Sequence, residues 1–230
     1  MLREIFDKAE IPYETINFHV NTKIGEILGK FDFDDKGKPA WFDGTLTRCM
    51  KEGKVLICEE ANAMDSRVSL CFYSAMDFRR EVVLSAKHGE VVKAHPDFRI
   101  CMTGNLGYRG TEKFNPAIQN RISCYVDVPY LGSELEAQLL MKQTKIGKEH
   151  AMNMVRVAAA VRANRDKSGF RPLSTRTMIE WAEQVVKGAF EPLDAAENTI
   201  IPTLADEPKE RDIVRQFVKG VFHKKVFDDD

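Results

Sequence analysis

The chain has 230 residues, 30% of them charged and 43% hydrophobic, with a formal net charge of -1. That is ample chain for one or two domains with a real core, and the near-neutral balance gives no overall electrostatic reason to expect nucleic acid or an acidic membrane as partner. No apolar run approaches the roughly 20 residues of a transmembrane helix, and Met1-Leu2-Arg3-Glu4 does not begin a signal peptide.

Residues 1–10 carry a helical period, with Leu2, Ile5, Phe6 and Ala9 on one face and Pro12 as the stop. The helix opens at the first residue with no capping turn before it. Residues 14–20 alternate as a strand. Lys23 to Leu28 predicts a short helical turn, Gly29 to Gly44 a Gly/Asp/aromatic loop, and Thr45 to Glu52 a helix stopped by Gly53. The stretch Lys54-Val55-Leu56-Ile57-Cys58-Glu59-Glu60-Ala61-Asn62 follows at once. Four apolar residues without alternation predict a strand buried on both faces, as in a parallel sheet.

Asp65 to Met76 reads as a helix, with Val68, Leu70, Phe72 and Ala75 among its apolar positions. Glu81 to Leu84 and Glu90 to Val92, around a polar turn with Gly89, predict a hairpin. Phe98 to Thr103 predicts another strand, Asn115 to Asn120 a helical turn, and Ser123 to Val128 a strand closed by Pro129. Strand alternating with helix indicates an α/β fold with a parallel sheet flanked by helices.

Past Gly132 the pattern is helical only: Ser133 to Ile146, Lys148 to Asn164, Ser174 to Gly188 and Lys209 to Val221. A boundary near residue 131 separates an α/β core (1–131) from a small all-helical domain (132–230). No internal repeat is visible, and Asp228-Asp229-Asp230 is expected to be a solvated tail. Five cysteines (Cys49, Cys58, Cys71, Cys101, Cys124) are scattered, odd in number and lack a C-x-x-C pair. Three of them, Cys58, Cys101 and Cys124, lie in apolar strand patterns. Buried thiols in a reducing, cytoplasmic setting are therefore expected, in preference to disulfides or zinc.

Ligand chemistry on parallel sheets collects at the carboxyl ends of strands, where Glu59 and Glu60 fall. Adjacent carboxylates there suit a hydrated Mg²⁺ and an attacking water, and they equally suit a plain acidic loop. Asn105 ends the strand of Phe98 to Thr103, as a water- or phosphate-positioning amide or as an ordinary turn residue. Arg121 precedes a predicted strand and suits either a phosphate on a neighbouring subunit or a surface ion pair. Arg176 stands in the first turn of a helix capped by Ser174, with Met178, Ile179, Ala182, Val185 and Val186 on its apolar face. A cation there opposes the helix macrodipole, which a bound anion would offset.

Trp41-Phe-Asp-Gly44-Thr-Leu-Thr-Arg48, the Val55-to-Asn62 stretch, Gly89-Glu-Val-Val-Lys-Ala-His-Pro-Asp97-Phe-Arg-Ile, Gly104-Asn105-Leu-Gly-Tyr108 and Ser174-Thr-Arg176 together resemble the AAA+ ATPases of the MoxR branch, nearest to the CbbQ/NorQ type. The likeness covers almost the whole chain in the expected order. It implies an AAA+ P-loop-type core and helical lid, ATP and Mg²⁺ as cofactors, a homo-oligomeric ring (a hexamer is expected), and a protein partner that is remodelled or activated. By that likeness Glu59 and Glu60 match the Walker B acidic pair, Asn105 the sensor 1 residue, Arg121 the arginine finger and Arg176 the sensor 2 arginine. The Gly29–Gly44 segment matches the family's helix-2 insert and residues 81–93 its hairpin before sensor 1.

Two departures stand out. The Mg²⁺ position is normally Asp and is Glu59 here, one methylene longer. No G-x-x-x-x-G-K-[ST] occurs in the 230 residues. Aligned to the family, residues 1–10 match the helix that follows that loop, so the chain reads as an AAA+ module cut just after its P-loop, without its first strand. The alternatives are a non-hydrolysing scaffold or adaptor subunit, and a protein-binding module that uses the two inserts.

Overall fold

The computed structural model describes residues 2–104, 114–168 and 171–222, with side chains from 165 to 168 left aside. Asn105 and the Asp228–Asp230 tail lie outside the described residues. The chain divides into two units, Met1–Val126 and Asp127–Asp230.

The first unit opens with α1 (Leu2–Lys8), whose apolar face is not buried: no residue of the helix is, and Ile5 is 53% exposed. Then come β1 (Tyr13–Asn17), α2 (Ile24–Ile27), β2 (Gly29–Phe33), β3 (Pro39–Asp43), α3 (Thr45–Glu52) and β4 (Val55–Glu59). A 3₁₀ turn at Ala61–Ala63 leads to α4 (Ser66–Met76), the hairpin of β5 (Glu81–Leu84) and β6 (Glu90–Lys93), β7 (Arg99–Met102) and α5 (Pro116–Gln119). Asp65 caps α4, its carboxylate accepting from the backbone N–H of Arg67 and Val68.

The main sheet has the order β1-β4-β7, all parallel, with Thr15 opposite Ile57 and Ile57 opposite Cys101. Its middle strand is β4, and Val55, Leu56, Ile57 and Cys58 are all buried, as an unalternated apolar run requires. Leu56, Phe72, Leu46 and Phe98 anchor the core around it. Full burial of each such side chain contributes about 1.5–3 kcal/mol. Backbone packs tightly behind α3: a Cβ on Gly44 would lie 2.4 Å from the Ile27 carbonyl carbon.

The structure corrects several sequence expectations. Gly29–Gly44 is not a loop but an antiparallel hairpin, with Phe31 opposite Trp41 and Phe33 opposite Pro39. Phe31 and Trp41 pack edge to face at 5.2 Å, and Gly37 takes the left-handed position of the turn (φ +71°). Alternation of aromatic and polar residues, diluted by Asp and Gly, is what pairs here. Ser123–Val128 forms no strand, pairing with none of the described ones, and the segment is exposed throughout. Cys124 is therefore exposed, and Cys101, on the outer strand β7, is half-buried. Leu70 turns to solvent at 61% exposure.

Cys49, Cys58, Cys71, Cys101 and Cys124 are free thiols. Burial pushes the Cys49 thiol up to about 12 and that of Cys71 up to about 11.

The second unit is helical: α6 (Ser133–Thr144), α7 (Lys148–Ser168), α8 (Thr175–Lys187), α9 (Pro192–Asn198), α10 (Ile200–Leu204) and α11 (Pro208–Phe222). Its core gathers Leu140, Met154, Val161, Met178 and Val214 around Trp181. The Trp181 indole N–H donates to the Pro192 carbonyl at 2.8 Å. Val186, expected on the buried face of α8, is 41% exposed. The short α9 and α10 have no counterpart in the sequence pattern. Among the described residues no helix is long and apolar enough to cross a membrane.

Candidate functional site

The end of β4 is where polar chemistry gathers in the first unit. Glu59 is the last residue of the strand, and Glu60 leaves it in a left-handed conformation (φ +53°, ψ +40°). That conformation costs a non-glycine residue on the order of 1–2 kcal/mol. The neighbouring strand enforces it: Thr103 N–H donates to Cys58 O at 2.9 Å, and Ala61 N–H then donates to Thr103 O at 2.8 Å. The chain must reverse between those two bonds, and Glu60 is the residue that turns, with its side chain left exposed.

Glu59 is paired. Arg3 of α1 brings Nη2 to 3.1 and 3.2 Å from the two carboxylate oxygens, with 55% of the Arg3 side chain and 36% of the Glu59 side chain exposed. Nothing in the sequence pattern points to this pair. Nor does it point to Asn62, which is 7% exposed and whose Oδ1 has no hydrogen-bond partner among the described residues. A Cβ on Gly104 would come within 2.7 Å of that oxygen and 2.8 Å of the Phe114 ring, so only glycine fits at the end of β7. A buried acceptor without a donor costs about 1–3 kcal/mol, and such groups collect where a ligand or ordered water completes them.

The donor set suits a hard cation. Glu59 and Glu60 supply carboxylate oxygens, and the described residues contain no group of three or more His, Cys, Asp or Glu placed to hold a metal. A Mg²⁺ held by Glu59 and Glu60 would fill its other positions from water and phosphate, as this ion commonly does. Arg3 would have to yield Glu59 to it.

The hydrogen-bonded ends of β4 and β7 bring Glu60 beside Thr103 and Gly104, the residues just before Asn105, which itself lies outside the described residues. Arg121 follows α5 and is engaged with its own unit. Its Nε donates to Tyr73 O at 3.2 Å, its Nη1 to Ala117 O at 2.9 Å, and the guanidinium lies 4.7 Å from the Tyr73 ring centroid. Arg176 is exposed in the first turn of α8, which Ser174 caps by accepting from Thr177 N–H at 3.1 Å. It belongs to the second unit.

Comparison with known proteins gives this geometry a family. The profile of the AAA domain, dynein-related subfamily, matches residues 1–122, and that of the CbbQ/NirQ/NorQ C-terminal region matches residues 136–221. Protein CbbQ of Hydrogenophilus thermoluteolus is 26% identical over 211 residues, 92% of this chain and 78% of that protein. Denitrification regulatory protein NirQ of Pseudomonas aeruginosa is 25% identical over 203 residues, 87% of this chain and 76% of its own length. Protein NorQ of Paracoccus denitrificans is 24% identical over 214 residues, 92% of this chain and 77% of that one. Among solved structures, a point mutant of Thermotoga maritima RuvB superposes with a TM-score of 0.52 at 11% identity, covering 95% of this chain and 63% of that one. NtrX of Brucella abortus in complex with ADP gives 0.52 at 17% identity, covering 82% of this chain and 42% of that one. At those identities the structural likeness is one of fold. With a parallel sheet core, a helical second unit and a matching profile over more than half its length, the chain belongs to the AAA+ ATPases, in the CbbQ/NorQ type of the MoxR branch.

Proposed function

We propose that this chain works within an ATP-hydrolysing ring, expected to be hexameric and cytoplasmic, that remodels or activates a partner protein. The observation that carries the reading is Glu60, a carboxylate held in a strained left-handed turn at the carboxyl end of the buried middle strand. Strain of that kind persists where the surroundings over-determine it, which is common at reacting groups. In this reading Glu60 takes a proton from the attacking water and Glu59 helps to hold Mg²⁺. Asn105 aligns the water with the terminal phosphate, Arg121 reaches a neighbouring subunit's nucleotide, and Arg176 links nucleotide state to the helical domain. When bound, Mg²⁺ offsets charge on the phosphates. The name of NirQ, a denitrification regulatory protein, and the ADP held by NtrX are consistent with a regulatory, nucleotide-dependent role. The hairpins β2–β3 and β5–β6 are the surfaces for ring or partner contact. Phe31 and Phe33 are 52% and 70% exposed on the first, and the cross-strand pair Val83 and Val91 is 49% and 52% exposed on the second.

The test uses a version carrying a phosphate-binding loop ahead of α1. Glu60→Gln is expected to abolish turnover while ATP binding persists, because the carboxylate acts on the water and not on ground-state contacts. Hydrolysis near the parent rate would remove Glu60 from the role.

A second reading, a non-hydrolysing scaffold subunit, draws on the two arginine contacts: Arg3 already neutralises Glu59, and Arg121 is tied to carbonyls of its own unit. Titration calorimetry with ATP separates the two, since a bare scaffold gives no binding heat.

A further inference from the structure

The helical unit holds a buried polar cluster that the proposed function leaves unused. Glu136 lies in the first turn of α6 and is 1% exposed, with the positive end of the helix dipole favouring its charge. Arg162 of α7 donates Nη1 to Glu136 Oε2 at 2.8 Å and Nη2 to Oε1 at 2.9 Å. Thr175 Oγ1 donates to the same Oε1 at 2.6 Å. Arg162 Nε donates to Leu173 O at 2.9 Å, and the guanidinium lies 3.6 Å from the centroid of the Tyr130 ring. Four stretches of chain meet on one ion pair: the segment leading into α6, α6 itself, α7, and the turn that starts α8.

Stability alone is a poor account of this cluster, because a buried ion pair is often no more stabilising than apolar residues of equal volume. What the planar arginine fork adds is a fixed geometry among its partners. Thr175 is the first residue of α8, and Arg176 is the next. The joint therefore grips the helix one residue before the exposed cation assigned to phosphate. At its other end it grips the aromatic ring of the lead-in segment.

We propose that Glu136 and Arg162 are positioning residues. They fix the first turn of α8, and with it Arg176, to the Tyr130 segment, so that an anion held by Arg176 tightens residues 127–132. The idea rests on the phosphate-binding reading of Arg176, and the experiment has an arm for each.

The first arm needs no ligand. Chymotrypsin cleavage after Tyr130, compared with cleavage after Tyr125 in the same chain, reports on the lead-in segment, and hydrogen exchange of residues 175–178 reports on the start of α8. Arg162→Lys keeps the charge but loses the fork and the ring contact. It is expected to speed both signals roughly tenfold, the effect of losing one charge-assisted hydrogen bond, with cleavage after Tyr125 and Trp181 fluorescence unchanged. Acceleration of only one signal, or of neither, overturns the joint; so does a parallel change in Trp181 fluorescence. Thr175→Val, a milder change, is expected to speed exchange at 175–178 while leaving Tyr130 cleavage at the parent rate. Equal acceleration of both would also overturn it.

The second arm adds ADP with Mg²⁺ to the version carrying a phosphate-binding loop ahead of α1. With the other residues unchanged it is expected to slow exchange at 175–178 and cleavage at Tyr130 together, and with Thr175→Val to slow only the former. Protection of 175–178 without protection of Tyr130 in the parent refutes the joint and keeps the Arg176 reading. No protection at either place refutes the Arg176 reading, and the first arm still decides the joint.

Discussion

Glu59 and Glu136 are both carboxylates facing an arginine, yet the two regions use them oppositely. At the end of β4 the Glu59 side chain is 36% exposed, held by one nitrogen of Arg3, beside an exposed Glu60 and an Asn62 oxygen without a partner among the described residues. In the helical unit the Glu136 side chain is 1% exposed, held by two nitrogens of Arg162, and completed by Thr175. At the proposed nucleotide site, polar groups are left open or loosely paired. Where the fold fixes geometry, they are saturated. Glu14 stands between, its side chain 19% exposed and bound by Arg48 and Lys54.

That gradient predicts a ranked series. Glu136→Ala strands the Arg162 charge in a buried setting and is expected to cost the helical unit about 3–5 kcal/mol, measured by chemical denaturation. A loss near that of a surface substitution would break the contrast. Glu14→Gln comes next. Hydrogen bonds from Arg48, reinforced by Lys54, hold the Glu14 carboxyl below the usual carboxylate range against the opposing effect of burial. A depressed folded-state pKa contributes stability above the unfolded value, and that contribution is lost as pH falls through the folded one. Glu14→Gln should therefore cost about 1–2 kcal/mol at neutral pH, and the difference from the parent should close below roughly pH 4. A pH-independent difference would assign Glu14 a purely steric role.

Glu60→Gly is expected to raise stability, by about 0.5–1 kcal/mol, because glycine takes a left-handed conformation without strain. Thermal melting checks this, and a loss of stability would show that the turn is not paid for by its neighbours. Arg3→Ala closes the series with a change within about 0.5 kcal/mol, as for other exposed pairs. A larger loss would move Glu59 into the same class as Glu136.

Much of the fold was legible because local chemistry and tertiary role agree. The unalternated Val55–Cys58 run is buried on both faces of the middle strand, and Gly53 and Asp65 bound their helices as caps. The misses share a cause: their outcome depends on a distant partner. Ser123–Val128 has strand-like residues and no strand beside it among the described residues, while the Gly- and Asp-rich 29–44 stretch does find one, in itself. The short α9 and α10 hold too few turns to show a period.

The site divides the same way. The position of Glu59 and Glu60 follows from where an apolar run stops, so it could be read from the sequence. The Arg3–Glu59 pair spans 56 positions and the Arg162–Glu136 pair 26, and neither has any local signature. Asn62 stands in plain view two residues past Glu60, but an unpartnered oxygen is a property of packing against Gly104 and Phe114, invisible in one dimension.

The chain's two tryptophans fall one to each unit. Trp41 is half-buried, donating its indole N–H to Asp43 at 2.7 Å with the Lys87 ammonium 5.8 Å from its ring. Trp181 is fully buried and packs edge to face on Phe222 at 5.7 Å. Their emission spectra should therefore differ, red-shifted beside the charged groups and blue-shifted in the helical core. Replacing either one by phenylalanine leaves a built-in chromophore that reports on a single unit. Paired melting curves of the two single-tryptophan proteins would show, without any label, whether the sheet and the helices come apart as one cooperative body or as two.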